Sequence, residues 1–138
     1  MFKNKNGFTI IEIMVAFAIT AFAFTALMGA FPISLGLNKG AENASIASYL
    51  AQGEIESIIS EGYNNIATGT VETLHRLSDN TSNYMYYFQR ETDISYVDGN
   101  LNPSATETGM KKISTSVYYA DALKNQKVYT LNLLISQR

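Results

Sequence analysis

The feature that most constrains this chain is a mainly apolar run from Phe8 to Leu37 whose one formally charged side chain is Glu12. A helix rises about 1.5 Å per residue, and about 20 apolar residues cross a bilayer, so this run is long enough to span one. A carboxylate near the start of such a helix is costly unless it lies at the headgroups or meets a partner. We therefore expect one membrane-spanning helix in which Glu12 has a special role.

A short basic leader precedes the apolar run. It extends from Met1 to Gly7, carries Lys3 and Lys5, and is shorter than an ordinary secretory signal, whose apolar region precedes the cleavage site. Only Lys39 follows closely on the other side of the run. This asymmetry predicts a single-pass protein of the cytoplasmic (inner) membrane, with its amino end in the cytoplasm and its C-terminal domain outside.

The order Gly7, Phe8 and Glu12, followed by an apolar helix, resembles the class III signal sequence of type IV pilins and of the pseudopilins of type II secretion. The resemblance implies that a prepilin peptidase cleaves between Gly7 and Phe8 and methylates the new amino terminus on Phe8. Glu12 is then the fifth residue of the mature chain, which this family uses in assembly. The implied partners are other pilin or pseudopilin subunits, contacted through the N-terminal helix, the peptidase, and a membrane assembly platform with its ATPase.

Elementary electrostatics predicts that the Glu12 carboxylate pairs with a positively charged amine. Cleavage would leave a free amine on Phe8, which is mostly protonated near neutral pH. Opposite charges attract more strongly in a poorly solvated site than in water. Glu12 is expected to neutralise the amine of a neighbouring subunit, or its own amine four residues away on the same helix face. The alternative is that its carboxylate extends to the headgroups without a partner.

Near its outer end the apolar helix contains Gly29, Pro32, Gly36 and Gly40. Pro32 lacks a backbone donor and clashes with the preceding turn, so we predict a kink or a melted turn there. In the resembled family a proline stands somewhat earlier, at the position that Gly29 occupies here. Two interpretations stay open: a segment that melts during assembly, and a simple kink at the outer membrane edge.

From about Asn38 the pattern becomes amphipathic and predicts that the same helix continues outside the membrane. Its end is expected at Gly62 and the Asn64-Asn65 pair. The segment Ala51–Ile58 also resembles PilV-like minor pilins and the I-type minor pseudopilins. Apolar residues that recur at helical spacing, and so are expected to face a sheet, are Ala44, Ala47, Ala51, Ile55 and Ile58.

The remainder of the chain alternates in the manner of β-strands. Strands are predicted over Thr70–Leu77, Tyr84–Val97, Lys112–Tyr119 and Lys127–Ser136. The last two are expected to form an antiparallel hairpin through a short turn at Leu123–Gln126, and a loop is expected from Asp98 to Gly109. Residues expected to share one face of their strand are Tyr86, Phe88, Arg90, Thr92, Ile94 and Tyr96; Ile113, Thr115, Val117 and Tyr119; and Tyr129, Leu131, Leu133 and Ile135.

These elements predict an α+β fold of pilin type. One long N-terminal helix, membrane-spanning in its first half and amphipathic in its second, packs on a small antiparallel sheet of three or four strands. The expected domains are a cytoplasmic leader at 1–7, a transmembrane and assembly helix at 8–37, and an extracytoplasmic domain at 38–138 that includes the second half of the helix.

Few side chains indicate catalysis or a cofactor. The chain has no cysteine and therefore no disulfide, and it shows no Gly-rich phosphate loop, paired-carboxylate site or nucleophile–base pair. Its only histidine, His75, is expected to be an exposed residue on a strand. The formal net charge of −2 is unpatterned, so no nucleic acid partner is indicated. We expect a protein that is not an enzyme and that needs no cofactor.

The loop after the second strand carries oxygen-bearing side chains at alternating positions, Asp98, Asn100 and Asn102, in weak similarity to a calcium loop. Pro103 stands where such a loop has glycine, and Gly109 where it has its closing glutamate. Some secretion pseudopilins bind calcium, but a solvated turn is the preferred interpretation, and no metal is expected.

Tyrosine is frequent in the outer domain. Because tyrosine is enriched at interfaces and also favoured in strands, these residues indicate either a partner surface or sheet packing. The tyrosines concerned are Tyr84, Tyr86, Tyr87, Tyr118, Tyr119 and Tyr129.

The sequence thus predicts a structural subunit. The favoured function is a minor pilin or pseudopilin that primes or caps a type IV pilus or a type II secretion pseudopilus, first in the membrane and then in a filament in the periplasm or at the cell surface. One alternative is a major pilin that builds the filament shaft. The other is a single-pass membrane-anchored domain that binds a ligand or works alone, which would require Gly7 to remain uncut.

Overall fold

The computed structural model describes residues 7–121 and 124–137. The predicted leader, apart from Gly7, and Leu123 in the predicted turn lie outside the described residues. The chain divides into two compact units, of which one extends to Leu37 and the other begins at Asn38.

A single helix, α1, extends from Ile10 to Ser60. It begins at Ile10 because Thr9 caps it: the backbone N–H of Glu12 donates to Thr9 Oγ1 at 3.3 Å. The helix ends where Gly62 adopts a φ of +80° and its N–H donates to the carbonyl of Ile59 at 3.0 Å. The helix end predicted from Gly62 is therefore confirmed.

In the first unit the large apolar side chains of α1 are exposed all along the helix, from Ile10 to Leu37. The helix is long and apolar enough, by length and composition, to cross a membrane. Apolar surface of this extent is not left in water by a soluble protein, because hydration of each exposed side chain costs free energy. This surface needs lipid or other protein to cover it.

The second unit contains an antiparallel sheet of five strands, with the order β1-β2-β4-β5 and the short β3 paired to β2. The bounds of the strands are Gly69–Arg76 for β1, Gln89–Val97 for β2, Pro103–Ser104 for β3, Met110–Ala120 for β4 and Gln126–Ser136 for β5. The four long strands and the β4–β5 hairpin confirm the predicted arrangement. The additional two-residue strand forms because the loop predicted from Asp98 onward folds back on the end of β2.

The prediction that the second strand begins at Tyr84 is wrong. Tyr84–Tyr87 form a short 3₁₀-helix, η1, and the strand begins only at Gln89. The side chain of Asn83 accepts a hydrogen bond from the backbone N–H of Met85 at 3.0 Å and so caps this turn. Such a local side-chain bond offers the backbone an alternative to strand pairing, which alternation of apolar residues does not reveal.

The core lies between α1 and one face of the sheet. The shared faces predicted for β4 and β5 are confirmed by the alternating burial of these strands, whereas Tyr86, predicted on the face of β2, lies in η1. Ala47 and Ala51 of α1 pack with Phe88 and Val117 in one apolar cluster. Ile55 and Ile58 of α1 belong to another apolar cluster, which is the second group. The two alanines are fully buried because small side chains allow the helix backbone to approach the strands closely. The second group comprises Ile66, Ile94 and Ile113, with Leu131, Leu133 and Ile135 against it.

Candidate functional site

The predicted processing and assembly residues lie at the start of the first unit. Gly7 and Phe8 are exposed and precede the helix, while Glu12 lies in its first turn. Phe8 and Glu12 are four residues apart and line one side of the same shallow groove. The groove continues along the helix past Ile13, Ala16, Phe17 and Thr20.

The helix start is favourable for a carboxylate. The positive end of the helix dipole and the unsatisfied N–H groups of the first turn stabilise a negative charge by about 0.3–1 kcal/mol. Thr9 and Glu12 also have the spacing of a capping box, Thr-x-x-Glu, a signal that the sequence carries and that we did not use. The assembly function of Glu12 stays a prediction from the resemblance.

The hydroxyl groups within the apolar helix are satisfied by the helix itself. Thr20 Oγ1 donates to the carbonyl of Ala16 at 2.8 Å, and Thr25 Oγ1 donates to that of Phe22 at 2.8 Å. A polar group in hydrocarbon is costly without such a partner. The surface of this helix is therefore compatible with lipid or with a dry helix–helix interface.

Pro32 lies inside α1, and the residues on both sides of it are helical. A kink or melting at Pro32 stays a prediction.

In the second unit a charged network joins the helix to the sheet. Arg90 on β2 donates to both carboxylate oxygens of Glu72 on β1, at 2.7 and 2.8 Å, and to Glu54 on α1 at 2.7 Å. Thr92, fully buried, donates to Glu72 at 3.2 Å. Burial raises the pKa of the Glu72 carboxyl, but the hydrogen bonds and charge of Arg90 prevail, so that this pKa lies below its ordinary value.

The sequence contained a signal for this network that we did not use. The alternation of β2 places Arg90 on the inward face with Ile94, and an inward arginine requires an acidic partner. His75 is exposed on β1, as predicted, with Nε2 at 3.4 Å from Glu72 Oε1.

The candidate calcium ligands form a turn. The carboxylate of Asp98 accepts the backbone N–H groups of Asn100 at 2.8 Å and Asn102 at 2.9 Å, and these bonds lower its pKa. The Nδ2 of Asn102 is 3.4 Å from the same carboxylate. Within residues 7–121 and 124–137 no cluster of three or more His, Cys, Asp or Glu side chains is placed to hold a metal ion. The Asp98 carboxylate thus holds this turn through two backbone hydrogen bonds.

The same turn chemistry recurs between β4 and β5. Asp121 Oδ1 accepts the backbone N–H of Asn125 at 2.9 Å, as Asp98 does with Asn102. Leu101 and Lys124, each one residue before the asparagine, both adopt a positive φ, of 66° and 62°. The repeated Asp-x-x-x-Asn spacing was visible in the sequence as a hairpin signal.

Lys111 is a buried lysine that the sequence reasoning missed, because the predicted strand began one residue later. Its side chain is on the inward face of β4 and the residue is 4% exposed. Nζ donates to the carbonyl oxygens of Tyr63 and Ile66, each at 2.8 Å, and lies 4.2 Å from the centre of the Tyr63 ring. Lys111 therefore attaches the segment after α1 to the sheet.

The tyrosines differ in their exposure. Tyr84 and Tyr87 on η1 are exposed, whereas Tyr119 and Tyr129 pack against the cluster around Ala47. Tyr118 donates to Glu91 at 2.6 Å, and this hydrogen bond raises the pKa of its phenol.

Comparison with known proteins identifies the N-terminal segment. Residues 2–28 match the family model for the prokaryotic N-terminal methylation motif, the signature of type IV pilins and pseudopilins. The match includes Gly7, Phe8 and Glu12 and ends within the apolar helix. No curated protein and no solved structure matches the chain. The motif supports a structural subunit of pilin or pseudopilin type, and a membrane-anchored one.

Proposed function

We propose that this protein is a minor pilin or pseudopilin that primes or caps a type IV pilus or a type II secretion pseudopilus. The observation that carries the proposal is the match of residues 2–28 to the methylation motif. In addition, Glu12 is the only charged side chain in the apolar run from Phe8 to Leu37. In this proposal a prepilin peptidase first cleaves the chain between Gly7 and Phe8. The implied partners are other subunits and a membrane assembly platform.

Assembly transfers the apolar helix from lipid to a filament core of similar polarity. The hydrophobic free energy therefore changes little, and close packing and polar pairing must favour the filament. Small residues such as Ala16 allow neighbouring helices to approach, and Ala16 lies in the groove that Phe8 and Glu12 line. There the carboxylate of Glu12 neutralises the methylated amine of an adjacent subunit, in a site where charge attraction is strong.

Two further observations favour a minor subunit over a shaft subunit. The segment Ala51–Ile58 resembles minor subunits, and its Ala51, Ile55 and Ile58 form the helix side of the core. The outer domain also contains no disulfide, since the chain has no cysteine, whereas many major pilins close their C-terminal region with one. The amount of the protein in sheared filaments distinguishes the two: a minor subunit is scarce and a major pilin is the dominant band.

The first experiment is intact-mass measurement and N-terminal sequencing of the protein from its native membrane. We expect a chain that begins at Phe8 and is heavier by one methyl group than its sequence. A Gly7→Leu variant is the control, and it should keep its leader and accumulate in the membrane. A wild-type chain that still begins at Met1 would overturn the proposal and leave the membrane-anchored domain as the function to test.

A further inference from the structure

The last strand, β5, lies at the end of the sheet. Among the residues that the structure describes, it pairs on one side only, with β4. In an antiparallel ladder successive residues direct their backbone N–H and C=O groups alternately toward one neighbour and away from it. The N–H of Gln137 donates to the carbonyl of Gly109 at 2.9 Å, so the odd-numbered residues face β4. The backbone groups of the even-numbered residues therefore point out of the sheet, at Val128, Thr130, Asn132 and Leu134.

The two edges of the sheet differ in how well they resist pairing. At the other edge, the register between β1 and β2 is irregular at two places, and Glu72 and Arg76 bring charges to β1. Irregular pairing and charged side chains both discourage an edge from joining another strand. The register of β5 with β4 is continuous, and Val128–Ser136 contains no charged residue, proline or glycine. The edge of β5 is thus suited to accept a further strand.

Apolar side chains on both faces of β5 are incompletely covered. On the face turned away from the core, Val128 and Leu134 are 52% and 46% exposed. On the face toward the core, Leu131 and Leu133 are only partly buried. A further strand would cover both sets, because facing side chains of paired strands lie about 4.5–5.5 Å apart. The occupant of this edge is therefore a strand with apolar residues on both of its faces.

The strand β5 itself meets this requirement. It extends from Gln126 to Ser136, and Leu131 is its midpoint. Antiparallel pairing of two copies about this residue places positions at equal distances before and after it opposite each other, and it unites the outward backbone groups in about eight hydrogen bonds. Like polarity meets like polarity in the three central facing pairs, which are Thr130 with Asn132, Tyr129 with Leu133 and Val128 with Leu134.

We propose that β5 pairs with β5 of a second copy of this chain, antiparallel and centred on Leu131, so that the two sheets become one. The second copy is the favoured occupant because polarity that is symmetric about the midpoint is a requirement of self-pairing, whereas a foreign strand has no need of it. Near the end of the ladder Lys127 faces Ile135, along which its aliphatic stem lies while the ammonium reaches water. The pairing uses the second unit alone and does not rest on the proposed pilin function.

The absence of cysteine from the chain makes a test of the register direct. Thr130→Cys and Asn132→Cys are single variants at exposed positions of β5. The full chains are mixed in detergent micelles and oxidised with copper phenanthroline. In the proposed register the cysteines of the two variants face each other with Cα atoms about 5.5 Å apart, whereas like cysteines are about 9 Å apart, beyond the disulfide limit of about 7 Å.

We expect the mixture to yield roughly threefold or more disulfide-linked dimer than either variant alone, because only the mixed pair has disulfide geometry. Val71→Cys mixed with Thr73→Cys is the matched control on the other edge strand, β1, where both residues are exposed. This control mixture should not exceed its single variants. Equal yields from the mixture and from each β5 variant alone, or no linked dimer in the mixture, would overturn the proposal.

Charge substitution tests the same pairing without cysteine. The double variant Thr130→Lys with Asn132→Lys places like charges opposite each other, whereas Thr130→Lys with Asn132→Glu places opposite charges there. Both lose the same hydrogen bond between Thr130 and Ser116. Sedimentation of the full chains in density-matched micelles should give a dimer dissociation constant roughly tenfold higher for the first variant than for the second.

Association through the apolar run of the first unit would contribute equally to both double variants, so it cannot produce the difference between them. Far-ultraviolet circular dichroism checks that both variants keep the fold. Equal dissociation constants would show that β5 does not pair with itself in this register and would overturn the proposal.

Discussion

The guanidinium of Arg90 on β2 lies 2.7 Å from the carboxylate of Glu54 on α1, and the two side chains are only 16% and 20% exposed. The same guanidinium holds Glu72 on β1 through two hydrogen bonds. One arginine therefore connects the helix, a central strand and an edge strand. The second unit is thus held together by this connection as well as by its apolar core.

Replacing Arg90 with methionine should destabilise the second unit by about 3 kcal/mol, because two partly buried carboxylates would lose their cation. The measurement is urea unfolding of the full chain in detergent micelles, followed by near-ultraviolet circular dichroism of the tyrosines. Lys39→Met is the control: it removes an exposed ion pair with Glu42 and should change stability by less than about 0.5 kcal/mol. Similar losses in the two variants would contradict the importance of the Arg90 network.

Glu72 predicts a dependence of stability on acidic pH. Its pKa is lowered in the folded protein, so it contributes stability above its unfolded pKa of about 4.3, and this contribution is lost as the pH falls through the folded pKa. Wild-type stability should therefore decrease below about pH 4.3, and that of Glu72→Gln should decrease less over the same range. Unfolding midpoints measured at successive pH values test this, and parallel curves would assign the acid sensitivity to other carboxylates.

Lys111→Met should destabilise the domain by about 2–4 kcal/mol, because the carbonyls of Tyr63 and Ile66 would lose their buried donor. Amide hydrogen exchange should accelerate first in residues 63–66. The neighbouring Lys112→Met, on the other face of β4, should have an effect within about 0.5 kcal/mol. Unchanged exchange in residues 63–66 of Lys111→Met would show that this segment is held by other contacts.

Leu101→Gly should stabilise the domain by about 1 kcal/mol. Leu101 adopts a φ of +66°, a region that costs about 1–2 kcal/mol for a residue with a Cβ atom and little for glycine. Leu134→Gly on β5 is the control and should be destabilising, since glycine weakens a strand. Thermal unfolding of both variants measures the difference, and a lower melting temperature for Leu101→Gly would mean that the leucine makes contacts that outweigh its strain.

Glu12→Ala should prevent incorporation into filaments without preventing membrane insertion, because the methylated amine of the adjacent subunit would lose its counter-charge. The measurement compares the amount of the subunit in membranes with that in sheared filaments. Glu42→Ala, outside the apolar run, is the control and should assemble normally. A wild-type amount of Glu12→Ala in filaments would contradict the assembly function of this carboxylate.

Sequence patterns with a short period predicted most of the architecture. The alternation of β4 and β5 placed Ile113 and Val117 on the inward face, and Gly62 marked the end of α1, as the structure confirms. These signals are local, since each depends on residues within a few positions of one another. The motif with Gly7, Phe8 and Glu12 is equally local, which explains why it was recognisable without any structure.

The sequence could not reveal features that depend on distant residues or on local bonds that compete with periodicity. Glu54 and Glu72 approach Arg90 from positions 36 and 18 residues away, and the strand register that unites them is a property of the whole sheet. The Asn83 cap favours a 3₁₀-helix at Tyr84–Tyr87, although the alternating strand pattern of the sequence begins there.

The sequence by itself determined the long helix, its apolar first half with Glu12, the amphipathic second half and the main strands, because hydrophobic periodicity is read from neighbours along the chain. Only the tertiary structure decided which polar groups meet. Arg90 pairs with two carboxylates, Lys111 donates to two carbonyls, and Asp98 accepts two backbone N–H groups of its own turn. The physical reason is that a buried charge must be satisfied, and the partner that satisfies it is set by packing in three dimensions.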